Sequence, residues 1–150
     1  MGSVELNRTF THTIDPYSFG NLSTEECVRL FKDGRVFSHF IEVWIAKNYP
    51  LKHILGCKSY DFIDSNDPTI LYDEKTFTIY GCNYVPSNML GQGRTFNREL
   101  FEEKSKKLIF CIVSNINFPE IKIKFIRGAD LLSEYPNGKI PLNDHVKFFH

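Results

Sequence analysis

No stretch of the sequence approaches about 18 consecutive apolar residues, so no membrane-spanning helix is expected. The opening Met1-Gly2-Ser3-Val4-Glu5-Leu6-Asn7-Arg8 lacks the apolar segment of a secretory signal, which predicts a cytoplasmic protein. There is no C-x-x-C pair. Cys27, Cys57, Cys82 and Cys111 are irregularly spaced, and His12, His39, His53, His145 and His150 form no zinc pattern with them. Buried free thiols in a reducing compartment are the expectation. Charge of one sign is missing too: 18 basic residues balance 18 acidic ones. That removes the broad basic character behind nonspecific DNA affinity. An enzyme that gathers acids around a metal can still be neutral overall while its binding cleft is basic. Repeats, low-complexity tracts and linkers are absent, and 150 residues make one domain with a single core.

What the chain has in quantity is aromatic residues, 15%, with 14 Phe and 7 Tyr. An aromatic-rich core follows. Residues 4–20, rich in Thr and aromatics and containing Asp15-Pro16, read as an extended arm or edge strand ending in a turn. Ser23-Thr24-Glu25-Glu26 is a capping-box pattern, predicting a short helix that stops near Asp33-Gly34. From Arg35 to Asn48, Phe37, Ile41 and Trp44 share a helical face that Phe40 and Ile45 widen, with Trp44 in the core; Pro50 ends this helix.

Leu51 to Tyr80 changes period. Rich in Ile, Tyr, Phe and Thr and broken by Ser65-Asn66-Asp67-Pro68, it predicts two antiparallel strands joined by a turn. Residues 81–96 read as loop. Asn97 caps a helix to Lys107, and Leu108 to Ile116 predicts a strand buried on both faces. A further strand starts at Pro119, a short helix at Gly128 and a tail at Gly138. The order fits a mixed sheet flanked by helices.

Chemistry concentrates in Tyr60-Asp61-Phe62-Ile63-Asp64 and, eight residues on, Asp73-Glu74-Lys75-Thr76. Two carboxylates on neighbouring strands can supply hard oxygen ligands to Mg²⁺. A lysine two residues beyond the second acid projects from the same strand face, where it can orient water or neutralise charge on a phosphate. Acid-x-Lys recurs at Glu102-Glu103-Lys104 and Glu120-Ile121-Lys122, but Glu103 lies on a predicted helix and Glu120 has no comparable aspartate partner.

This arrangement resembles the PD-(D/E)xK, restriction-endonuclease-like nuclease superfamily, over roughly residues 35–127. The resemblance implies an α/β fold with a restriction-endonuclease-like mixed β-sheet flanked by α-helices: a helix, a motif-bearing antiparallel hairpin, a helix and a further strand pair. It maps the first acid to Asp61, the second to Asp73 and the lysine to Lys75, with Thr76 as the small hydroxyl residue and Glu42 as the glutamate on the preceding helix. Tyr60 stands in place of proline. Glu74 replaces an apolar residue and so needs a partner or a local bulge, and Asp64 is an alternative first acid. Mg²⁺, with Mn²⁺ as a substitute, would sit on Asp61 and Asp73.

The implied activity is hydrolysis of double-stranded DNA leaving 5′-phosphate, by a homodimer or homotetramer, with a type II restriction-like role preferred over homing. Alternatives are a repair or RNA-processing nuclease on the same fold, and a noncatalytic nucleic-acid-binding module. In the loop Pro86 to Arg94, Ser87, Asn88, Gln92 and Arg94 are the candidate DNA contacts, since Gln92 and Arg94 can bond adenine and guanine edges. The loop lacks the GK[ST] ending of a P-loop. Lys104, Lys106 and Lys107 suit the C-terminal end of a helix without any ligand.

Overall fold

Capping chemistry sets the helix starts. In the computed structural model, which describes residues 2–15, 20–56, 59–86, 89 and 93–150, Ser23 and Glu26 form the reciprocal capping box of helix α1 (Thr24–Phe31). Asp33 accepts from the backbone N–H groups of Arg35 and Val36 to start α2 (Gly34–Asn48). Asn97 accepts from Leu100 N–H to start α3 (Arg98–Lys106). Two further helices, α4 (Gly128–Glu134) and α5 (His145–Phe148), follow late in the chain. None of the described helices is long and apolar enough to cross a membrane.

The main sheet has six strands in the order β1 (Thr9–Thr13), β7 (Glu120–Arg127), β6 (Leu108–Ser114), β4 (Leu71–Phe77), β3 (Phe62–Asp64) and β2 (Leu51–His53). Only β4 and β6 run parallel, with α3 in the crossover between them; the other neighbours are antiparallel. The class is therefore α/β with a mixed sheet. Where one hairpin is expected between Leu51 and Tyr80, the chain forms three strands, because β2 pairs residue for residue with β3. Residues 81–96 are not loop throughout: β5 (Cys82–Asn83) pairs antiparallel with β8 (Lys139–Ile140) in a second, two-stranded sheet. Nor is the segment after Gly138 a loose tail, since Phe148 and Phe149 are buried. Residues 4–20 do supply an edge strand, β1.

Alternation along β6 explains how one aromatic-rich core becomes two. Cys111 and Val113 point to a cluster under α2 that holds Phe37, Ile41, Phe62 and Phe125. Phe110 and Ile112 point the other way, to Phe77, Tyr84, Phe101 and Leu131. The strand is thus covered on both faces, as its unbroken apolar run predicts, although it ends at Ser114. Trp44 is only partly buried: Phe37, Ile41 and Ile45 form the buried stripe of α2, and Trp44 lies beside it, edge-on to His12. On the opposite layer, α3 and α4 meet backbone to backbone. A Cβ at Gly128 would fall 1.6 Å from the Ser105 carbonyl oxygen.

A strand hydrogen-bonded on both edges and covered on both faces opens only when the whole domain opens. The amides of Cys111, Ile112 and Val113 should therefore exchange at the rate of global unfolding, whereas those of edge strand β1 exchange faster. Native-state hydrogen exchange against denaturant reads this directly; rapid exchange in β6 is the result that contradicts it.

Candidate active site

Strand β3 runs beside β4 for only two paired positions, Phe62 with Tyr72 and Ile63 with Leu71. Just before them the pairing stops, and among the described residues no strand pairs with the β4 edge from Asp73 to Phe77 on that side. Asp61 sits at the fork. Its backbone N–H donates to Tyr72 O (2.9 Å), and its Oδ2 accepts from Glu74 N–H (2.8 Å), standing in for the missing strand. Side chains from both sheet faces can reach around an edge opened in this way.

Asp73 and Lys75 lie on one face of β4, as period two requires, with Nζ to Oδ2 at 3.3 Å. Glu74 lies on the other, buried, its Oε2 accepting from Thr76 Oγ1 (3.0 Å), which also contacts Ser38 Oγ of α2 (2.9 Å). Here is the partner that Glu74 needs; no bulge interrupts the register of β4 with β6. One turn along α2 from Ser38, Glu42 reaches the same place, held by His53 Nε2 of β2 at 3.2 Å. Asp61, Asp73, Lys75 and Glu42 are thereby brought together, lining one open cavity of about 700 Å³.

Asp64 has a different task. Its carboxylate accepts from Ser3 N–H (2.5 Å), Ser3 Oγ (2.9 Å), Asn66 N–H (2.9 Å) and Tyr72 Oη (3.0 Å). Burial alone would raise its pKa, but these four donors outweigh it and hold the pKa at about 2. Asp64 ties the N-terminal arm to the sheet and is absent from the cavity lining, where Asp61 is the one of the two that stands beside Asp73.

Of the loop residues, Ser87, Asn88 and Gln92 lie outside the described residues, and Arg94 is exposed and absent from the described cavity lining. Three cavity or support residues escape sequence reasoning: His39, Lys104 and His53. His39 is one residue from Ser38 on α2, and Lys104, read as a dipole partner at a helix end, turns to the cavity. Helical spacing would have placed His39 near Glu42; nothing local marks His53, whose role depends on β2 pairing.

Among the described residues the cavity is more acidic than basic. Glu42, Asp61, Asp73 and Glu74 outnumber Lys75 and Lys104 in the lining. Burial, then repulsion from Asp61, raises the Asp73 pKa to about 7 against the pull of Lys75. Burial and Glu42 raise that of Asp61, and burial raises that of Glu42. Glu74 is pushed well up by burial. Burial pulls Lys75 down, but Asp73 and the other acids outweigh it and its pKa is raised. As donors, three half-buried carboxyls raised by burial and one another suit a hard divalent cation such as Mg²⁺. They are not drawn into a ligand set: among the described residues no three His, Cys, Asp or Glu side chains are grouped to hold a metal.

The acids' raised pKa values fix a pH dependence. Asp73 titrates near 7 when folded against about 4 unfolded, so its neutral form is the one that folding favours. Its contribution is fully present below about pH 4 and is lost as pH rises through about 7. In chelator, the urea midpoint should fall between those limits, and Asp73→Asn should flatten the fall. Mg²⁺ should raise the midpoint more at pH 8 than at pH 5; equal gains at both would count against a carboxylate-held cation. No family model, curated protein or solved structure matches this chain.

Proposed function

We propose that this chain is a Mg²⁺-dependent endonuclease of the restriction-endonuclease-like type, hydrolysing phosphodiester bonds of double-stranded DNA. The observation that carries the reading is the meeting of Asp61, Asp73 and Lys75 at the open edge of β4, with Glu42 brought in from α2. The order α2, β2–β3–β4, α3, β6–β7 supports it, since the resemblance implies a helix, a motif-bearing antiparallel hairpin, a helix and a strand pair.

Asp61 and Asp73 would hold the cation. When bound, it supplies Lewis acidity beside the scissile phosphate. Lys75 stands one hydrogen-bond length from Asp73, on a strand locked to β6, so its ammonium is fixed before substrate arrives. It neutralises charge growing on the phosphate oxygens, or orients the attacking water. Glu42, steered by His53, takes part in ordering water on the α2 side. Lys104, on the far wall, offers a second positive charge to the phosphate. Cutting both strands from one site per chain calls for a homodimer or homotetramer.

Digestion of duplex DNA, single strands and RNA with Mg²⁺, followed by sequencing of the ends, tests the activity and the substrate together. Asp73→Asn should lower duplex cutting by about two to three orders of magnitude or more, and Lys75→Ala should abolish it, both with the fold intact. Affinity for DNA should survive in both variants. Glu120→Gln and Lys122→Ala repeat the acid-x-Lys pattern on β7, against β1 and away from the cavity, and should leave turnover near that of the parent. Loss of cutting in the β7 pair but not in Asp73→Asn would place the chemistry on the wrong strand in this reading. Cutting of RNA alone would move the substrate and keep the site.

A further inference from the structure

Beyond Phe77, strand β4 closes on β5 through a tight turn. Thr78 and Gly81 exchange both backbone hydrogen bonds (3.0 and 2.9 Å), and Gly81 has φ +90°. The two residues at the tip are Ile79 and Tyr80, 59% and 81% exposed. The left-handed backbone of this turn is confined to Gly81, so the tip positions admit most side chains, but exposed turn tips ordinarily carry residues that mix with water. Neither Ile79 nor Tyr80 serves the core, so the fold does not account for them.

Across from this tip runs the α1–α2 junction. Thr78, Ile79 and Tyr80 line a groove of about 550 Å³ together with Lys32, Arg35 and Ser38. The junction is held in place: Asn115 Nδ2 donates to the carbonyl oxygens of Phe31 and Lys32 (3.2 and 3.0 Å). Asp33 also borders the groove, but its carboxylate is engaged as the α2 cap on Arg35 and Val36. Among the described residues neither Lys32 nor Arg35 makes a salt bridge. Ser38 and Thr76, hydrogen-bonded to each other, border both this groove and the acidic cavity, so the two adjoin across that pair.

Phosphate is poorly served by the acidic cavity alone. Two cations, offset in part by the Asp33 carboxylate, and an exposed aromatic ring lie next door in an adjoining groove, the combination that binds a nucleic-acid strand by charge and stacking. We infer that the groove between the Ile79-Tyr80 turn and the Lys32–Arg35 junction carries the nucleic-acid strand flanking the scissile phosphate, with Lys32 and Arg35 on its backbone and a base against Tyr80. The inference rests on the nuclease reading of the cavity.

Fluorescein-labelled single-stranded and duplex oligonucleotides, titrated in EDTA over a series of salt concentrations, test it, with cleavage in Mg²⁺ read alongside. Tyr80→Ala should weaken binding about fivefold to a hundredfold, the scale of one lost stacked base, and raise KM with kcat held. Lys32→Gln with Arg35→Gln should lower the slope of log affinity against log salt by about 1.5, two phosphates' worth. Val146→Ala, which trims an equally exposed apolar side chain on α5, should change nothing. All these side chains are exposed, so thermal melting should match the parent. If the parent binds or cuts and the Tyr80 and Lys32/Arg35 variants behave like it, this inference alone is overturned. Should the parent neither bind nor cut any of the probes, the nuclease reading falls and takes this one with it.

Discussion

The structure turns on an interrupted strand pairing. Because β3 accompanies β4 for two residues only, the parallel strand at the centre of the sheet has a free edge in the middle of the molecule. Unpaired backbone donors are costly when buried, and the chain satisfies one of them with the Asp61 carboxylate. That same substitution of a side chain for a strand delivers an acid to the place where Asp73 and Lys75 emerge. Satisfying the backbone and assembling the candidate site are here one event.

The gathering has an energetic consequence. Four carboxyls with raised pKa values, Asp73 among them, around one Lys75 are a strained electrostatic arrangement, eased by protonation at low pH and by a cation at high pH. The layers on either side must supply the stability that the cleft withdraws. They do so with fully buried aromatic rings, Phe37 and Phe62 on one face and Tyr84, Phe101 and Phe110 on the other. An aromatic-heavy composition and an acid-lined cleft are thus two sides of the same balance.

Local chemistry was legible in the sequence, and pairing at a distance was not. Ser23 and Asn97 announce their helices because a cap acts within three residues. The run from Leu108 announces a doubly buried strand, and the two-residue spacing of Asp73 and Lys75 places them on one face. Strands β2, β5 and β8 are two or three residues long and exist only through partners elsewhere, so no periodicity marks them. Choosing between Asp61 and Asp64 needed the arm: Ser3, 61 residues away, claims Asp64. For the same reason Lys104 looked like a helix-end charge, and the Ile79-Tyr80 turn passed as the end of a strand.

Gly128 carries a different kind of information. With the Ser105 carbonyl where its Cβ would be, the start of α4 is pressed onto the end of α3, the helix whose Lys104 faces the cleft. Core rings can be exchanged for one another with modest rearrangement, but this backbone contact has no substitute. Sequences that have drifted too far for their kinship to be measured overall should still be held to a glycine at this point, after the second strand of the final pair. Any side chain at position 128 would have to push the start of α4 off the end of α3.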